Sequence, residues 1–286
     1  MRRDRSLALV LLGTTACGAA ELEPATDARA IETVREFVSA PRAELVGDPG
    51  AAEREIMAIE DVEVSDDVLL SLPGSHGGIP GTMQERVPIP DGGRSVGTAD
   101  AGALEGGLQL PLDPLSYTRR DASRSYATTQ TLRTIQAALG VLRSERGVHA
   151  EVVIGDLSLR RGGTFPPHVS HTSGRDIDIR LVLAAGLDRT TLPLAPEQVD
   201  WDATWALVHS FLETGRVTYV FLDFGQQAHL RSAALRAGVH DRVLDRWFQF
   251  PDATNADAIV RHEPGHRAHL HIRLSCDGQG PRCQGA

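Results

Sequence analysis

The chain has 286 residues, 41% of them apolar, and a formal net charge of −9. That composition supports one large globular domain with an appendage and excludes disordered and collagen-like chains. Residues 18–70 hold 14 Asp/Glu against 4 Arg, a net of −10, so the remainder carries +1, and no concentrated basic face argues for nucleic acid as a partner.

In chain order, the first 17 residues read as a targeting segment. Arg2, Arg3 and Arg5 precede a short apolar run, Leu7 to Leu12, and the small-residue stretch Thr14-Thr15-Ala16-Cys17-Gly18 follows. The run is too short for a permanent bilayer span, which needs about 20 residues. A cysteine directly after small residues is similar to a bacterial lipoprotein signal, in which that cysteine is lipidated. Thr14 stands where leucine is usual, and an ordinary cleaved signal with an incidental Cys17 is the competing reading. Membrane attachment is expected only through such a lipid. Either reading exports the chain, so a periplasmic location is expected. Export favours disulfides, and Cys276 and Cys283 remain as a pair seven residues apart. A cysteine zinc site competes, but a second cysteine couple to complete four thiolates is lacking.

Residues 18–93 read as an acidic tether and extension, with a helix-like patch at Ile31–Val38 and a Pro/Gly loop, SLPGSHGGIPGT, at 71–82. From 94 the pattern tightens. Leu132, Ile135, Leu139 and Leu142 fall at helical spacing, ending at Gly147. AEVVIGDLSL (150–159) and DIDIRLVL (176–183) read as strands. Asp202 is placed to cap a helix bearing Trp205, Val208, Phe211 and Leu212 and closed by Gly215. RVTYVFLDF (216–224) is a strand, Leu230–Leu235 and Val243–Trp247 are short helices, and HRAHLHIRL (266–274) is a final strand. Helices interleaved with non-local strands predict an α+β domain over 94–286, with a small, mostly antiparallel sheet flanked by helices.

The chemistry concentrates in PPHVSHTSGRDIDIR (166–180) and AHLHIRL (268–274). Aspartate is depleted in strands, and a carboxylate turned toward a core is costly unless a cation meets it. Asp176 and Asp178 sit in such an alternating run; arginines could be their partners, or a metal could be. His269 and His271 share one strand face, about 6.6 Å apart at about 3.3 Å per residue. With His168, His171 and His266 they make five of the eleven histidines. Two imidazoles and one carboxylate around zinc, with a fourth position left for water, is a hydrolytic arrangement.

His171 with Asp178 seven residues later, followed by His269-x-His271, resembles the motif pair of the zinc peptidases grouped with lysostaphin, D-Ala-D-Ala metallopeptidases and hedgehog. Within that group the chain is similar to the penicillin-insensitive murein endopeptidases, through SVGTADAGALEGGLQLP (95–111), VVIGDLSLRRGG (152–163), HVSHTSGRDIDI (168–179), WFQ (247–249) and HRAHLHIRLSC (266–276). The resemblance implies Zn2+ held by His171, Asp178 and His271, with His168 as an extra or supporting ligand. It implies His266 and His269 as non-ligand catalytic histidines, and the D-Ala–meso-diaminopimelate cross-link between peptidoglycan stem peptides as substrate. Some members carry a second metal position between the motif halves, for which Asp200, Asp202 and His209 are loose candidates here.

On this reading His269 lines the inner position beside His271 and His266 shuttles the proton, or the two exchange roles, and Glu263 is the fallback base. Arg160, Arg161, Arg175 and Arg267 are candidate clamps for substrate carboxylates, or else solvated surface residues. The competing functions are a D,D-carboxypeptidase acting on stem-peptide ends and a non-catalytic, zinc-stapled peptidoglycan-binding lipoprotein. Metal storage or sensing is the remotest of the readings.

Overall fold

Backbone hydrogen bonding over residues 87–285, the part described by this computed structural model, places ten strands and four α-helices in one α+β arrangement. The predicted signal segment 1–17, Cys17 and the acidic extension up to residue 86 lie outside the described residues. Among the described residues, no helix is long and apolar enough to cross a membrane.

The chain enters through a hairpin, β1 (Arg94–Gly97) and β2 (Gly102–Glu105). A second small pair is β3 (Leu108–Gln109) with β5 (Tyr126–Ala127). The main sheet holds β4 (Thr118–Arg119), β6 (Val153–Ile154), β7 (Asp176–Arg180), β8 (Val217–Phe221), β9 (Val260–Arg261) and β10 (His269–Leu274), in the order β4-β6-β7-β10-β8-β9.

This sheet corrects the expectation of a small, mostly antiparallel one: it has six strands and is mixed, because β4 pairs with β6 and β8 with β9 in parallel. Parallel neighbours need a long crossover. The first crossover is helix α1 (Thr129–Ser144); the second is α3 (Phe224–Arg236) followed by α4 (Asp241–Trp247). The edge strands β4 and β9 are two residues each, too short to leave a periodic signal. Within 150–159 only Val153 and Ile154 form a ladder; the backbone then turns to other partners, Gly155 N–H donating to the Asp178 carbonyl and Leu157 N–H to that of Arg124.

Helix α1 forms where the apolar spacing predicts it. Thr128 caps it by accepting from Thr131 N–H at 3.0 Å, and Leu132, Ile135, Leu139 and Leu142 are buried against the sheet and α2 (Trp201–Leu212). The cap of α2 is Asp200 rather than Asp202: its Oδ1 accepts from Ala203 N–H at 2.9 Å. Gly215 follows that helix at φ +64°, the left-handed turn that a side chain resists. Helix α3 is longer than its sequence suggests because its buried face is mostly small or polar, with Gln226, Gln227, Ala228, Ala233 and Ala234 beside Leu230.

The centre of the sheet is the antiparallel pair β7–β10, registered as Asp176↔Arg273, Ile177↔Ile272, Asp178↔His271, Ile179↔Leu270 and Arg180↔His269. The four apolar residues are fully buried on one face. Each such burial is worth about 1.5–3 kcal/mol. A one-residue slip would exchange the faces of that strand, so the core that fixes the register also fixes the charged face opposite.

Candidate metal centre

On that opposite face three cross-strand pairs stand in a row: Asp176 with Arg273, Asp178 with His271, and Arg180 with His269. The loop before β7 brings His168 and His171 over them, and the loop before β10 brings His266. The ring centroids of His168 and His171 are 4.4 Å apart, those of His171 and His271 4.5 Å, and those of His266 and His269 4.7 Å. All six candidates from the sequence thus meet at one place.

His171 is held unusually firmly. Its φ is +64°, which costs a non-glycine residue energy unless its surroundings enforce it. Asp176 Oδ2 accepts its N–H at 2.8 Å, Ser158 Oγ donates to its carbonyl at 2.5 Å, and its Nδ1 lies 2.7 Å from the Leu157 carbonyl. Nδ1 therefore keeps its proton toward Leu157, and Nε2 is the nitrogen turned to the cluster. His171 Nε2 and Asp178 Oδ1 face each other 3.2 Å apart, both buried and neither in an aligned hydrogen bond.

His168 is oriented the same way. Its Nε2 is 2.7 Å from Asp156 Oδ2, which leaves Nδ1 turned toward Asp178 Oδ2 at 3.9 Å. His271 Nδ1 is 3.8 Å from Asp178 Oδ1, while its Nε2 lies 3.0 Å from Asp176 Oδ1. That last contact lacks the angle of a hydrogen bond.

Buried polar atoms without partners are rare in folded proteins and call for an explanation. Two ligands on a tetrahedral ion with bonds of about 2.1 Å stand about 3.4 Å apart. The spacing of 3.2–3.9 Å around Asp178 fits that geometry. Two trios, His168–His171–Asp178 and Asp178–His266–His271, each keep their ligand atoms within 4.8 Å of one another. Imidazole nitrogen with one carboxylate suits a borderline divalent ion such as zinc. The residues present fit a metal.

The charges agree with this. Burial alone would push the His171 imidazolium down, but the adjoining Asp178 carboxylate outweighs it and holds its pKa at about 9. Burial would raise Asp178, yet His171, His271 and His269 bring it down to about 2. Without a cation between them the two form an ion pair. His269 is pushed down to about 4, chiefly by burial, with Asp178 opposing, so its ring is neutral near pH 7. Asp176 is fully buried and would be raised by burial, but His271 and Arg273 hold it well below the usual range; Arg273 Nε donates to it at 2.8 Å.

Several elements aim the histidines of the last loop. The N–H of Asp223, the cap of α3, donates to the His266 carbonyl at 2.9 Å, and Gln226 Nε2 donates to the Arg267 carbonyl at 3.1 Å. Glu263, the fallback base, is exposed and meets the cluster through its carbonyl, 3.3 Å from His266 Nδ1. After β10 the chain closes through a disulfide between Cys276 and Cys283, and Gly97 N–H donates to the Arg282 carbonyl.

The arginines are distributed otherwise than the sequence suggested. Arg175 is 1% exposed and donates to the carbonyls of Leu274, Gln284 and Gly285, so it ties the C-terminal loop to the site loop and is not available to substrate. Arg160, Arg161 and Arg267 are exposed and stand outside the lining of the cleft that opens beside Asp178, His168 and His269. That cleft, about 720 Å³ in volume, is walled by Arg120, Arg124 and Arg180. Asp200, Asp202 and His209 belong to α2: Asp200 caps it, Asp202 pairs with Arg236 at 2.6 Å, and His209 stacks on Trp205.

Asp156, absent from the sequence's candidates, joins the cluster through His168. It is 2% exposed; burial would raise its carboxyl, but the hydrogen bond with His168 and the grip of Arg124 and Arg120 hold it far below the usual range. Its signal was the one that marked Asp176 and Asp178, an aspartate inside an apolar strand-like run.

The family description "Penicillin-insensitive murein endopeptidase" matches residues 95–286. Proteins of that name from Klebsiella pneumoniae (strain 342) and Escherichia coli O1:K1 / APEC are 28% and 27% identical over 241 and 237 residues, covering 76% of this chain and 79% of theirs. One from Salmonella arizonae is 28% identical over 216 residues, 69% of this chain and 72% of its own. With that match running through both halves of the histidine–aspartate cluster, the chain belongs to the penicillin-insensitive murein endopeptidase family.

Proposed function

We propose that the protein is a zinc-dependent peptidoglycan hydrolase that cleaves D-Ala–meso-diaminopimelate cross-links between stem peptides in the periplasm. The observation that carries this is the facing pair of buried ligand atoms, His171 Nε2 and Asp178 Oδ1, in no aligned hydrogen bond and set among four further histidines beside an open cleft. His171, Asp178 and His271 are the ligands in this reading, with His168 beside them.

Bound there, zinc would polarise the scissile carbonyl and acidify a water from a pKa of about 15.7 toward about 7. The chain's own residues do the rest. His269, neutral at pH 7, offers a hydrogen-bond donor to the oxygen on which charge develops. His266, half-buried next to His269, takes the water proton and passes it to the leaving amine. Asp176 and Asp156 hold His271 and His168 in the orientation that leaves their other nitrogens free. A lipid on Cys17 would keep the enzyme at the envelope; the support for it is the residue pattern at 14–18.

The test is mass spectrometry of purified cross-linked muropeptide dimers after incubation with the zinc-loaded protein, with and without chelator. Release of monomers that stops with chelator supports the endopeptidase. Loss of only a terminal D-Ala makes it a carboxypeptidase, and intact dimers make it a binding protein with a structural metal.

A further inference from the structure

The central ladder carries one charge that the reaction does not use. Arg180 lies two residues beyond Asp178 on the same strand face and is registered directly against His269. Residues so opposed have Cβ atoms about 4.5–5.5 Å apart. The row therefore runs Asp178–His271 and then Arg180–His269, from the metal ligands outward to the cleft, which Arg180 lines together with His269.

Arg180 is under-committed for a residue whose side chain is only 14% exposed. Its Nη1 donates to the Arg189 carbonyl, Nη2 stands 3.3 Å from Glu151 Oε2, and Nε is buried with no hydrogen-bond partner. Glu151 does not neutralise it, because Arg189 already takes that carboxylate, at 2.5 Å through Nη2 and 3.2 Å through Nε. Two guanidinium groups thus share one carboxylate. In the lining of the same cleft Arg120 and Arg124 share Asp156. An ideal Cβ on Gly155 would lie 3.2 Å from Asp178 Cβ and 3.6 Å from Arg120 Cζ, so this surplus charge reaches the edge of the reaction centre. A wall of this kind takes an anion.

We propose that Arg180 binds the carboxylate on the leaving side of the scissile bond, the one attached to the carbon that bears the leaving nitrogen. The assignment rests on the peptidase reading above. In that reading His269 stands at the reacting amide, so the residue registered against it meets the substituent next to the amide nitrogen. Arg suits the task, since its planar fork matches a carboxylate in bidentate fashion. Arg180 is then a specificity-determining residue, selecting leaving strands whose D-centre is a free acid over those in which it is an amide.

The experiment uses the full zinc-loaded chain and two muropeptide dimers that differ only in that group, free carboxylate or carboxamide. Wild type should cleave the acid form with kcat/KM roughly 10- to 100-fold above the amide form, the scale of a hydrogen-bonded charge contact. Arg180→Gln, with its zinc retained, should bring the two substrates within about 3-fold of each other, and Arg180→Lys should fall between, keeping charge but losing the fork. An undiminished preference in either variant overturns the proposal, as does a wild type with no preference. Should the Gln variant not fold, the Lys variant alone decides. Should wild type cleave neither dimer, the peptidase reading fails. The subsite is then decided by calorimetry with the leaving-strand peptide in acid and amide forms: an acid preference that Arg180→Gln removes upholds it, and equal binding by wild type overturns it.

Discussion

Asp176 touches no metal in the proposed set, yet it should control how well the site holds one. Its Oδ2 accepts the His171 N–H at 2.8 Å, and its Oδ1 accepts from Arg273 at 2.8 Å and lies 3.0 Å from His271 Nε2. Asp176→Asn keeps the shape but removes the charge. The new amide must also turn an NH2 toward either the His171 N–H or the Arg273 guanidinium, donor against donor. Arg273, whose side chain is only 17% exposed, then loses its partner. Breaking a buried pair costs about 3–5 kcal/mol, and the partial exposure of Arg273 argues for about 3. In a domain of this size that lowers the melting temperature by roughly 6–12 °C. Loss of an outer carboxylate behind a ligating histidine costs about 10- to 100-fold in metal affinity. Competition against a chromophoric chelator and melting curves in excess chelator measure the two effects separately. Zinc affinity within about 3-fold of wild type, when at least 10-fold is expected, would refute the claim that Asp176 orients the ligands. Mild acid cannot mimic the variant, because Asp176 stays charged well below the usual carboxylate range.

The other predictions concern the site's own members and its C-terminal clasp. His271→Ala and Asp178→Ala should lose tightly bound zinc by metal analysis, and wild-type content in both would overturn the ligand set. His266→Ala and His269→Ala should keep zinc while kcat drops about 10²–10⁴-fold in dimer cleavage; a variant that sheds its metal belongs among the ligands instead. In metal-free protein His171 has its pKa raised from 6.5 to about 9, so its contribution to stability is complete below pH 6.5 and is lost as pH rises through 9. Melting in chelator should therefore weaken across that window, and calorimetry in two buffers near pH 7.5 should find about one proton released per zinc bound. Cys276→Ser should lower the melting temperature with zinc still bound, since closing a loop this short is worth about 2–3 kcal/mol. Thiol titration of denatured, lipidated protein should find no thiols before reduction and two after it.

The centre of this fold was legible because one pattern carries both its halves. Ile177 and Ile179 alternate with Asp176 and Asp178, and Leu270 and Ile272 with His269 and His271. Period-two alternation gives a buried face and, on the other side, charges that need a cation. The edge strands β4 and β9 were illegible for the opposite reason, since two residues have no period. Helix α3 was shortened in the reading because buried glutamines and alanines do not mark an apolar stripe. Asp156 was visible as an anomaly, but Arg120 and Arg124 reach it from over thirty residues away, and such partners leave no local trace.

The arginines teach a narrower lesson about parity. Closeness in sequence to the motif points to Arg175, one residue before Asp176. A strand turns successive side chains to opposite faces, so a residue at that position cannot share the face of Asp176 and Asp178. The structure buries Arg175 against three carbonyls of the C-terminal segment. Arg180 has the parity of the two aspartates and falls beside His269. With a strand over 176–183 already predicted, this followed from counting by two. Distance along the chain is a poor guide to a site built on a sheet, because two strand positions cover about 6.6 Å and keep the face, while one position covers half that and loses it.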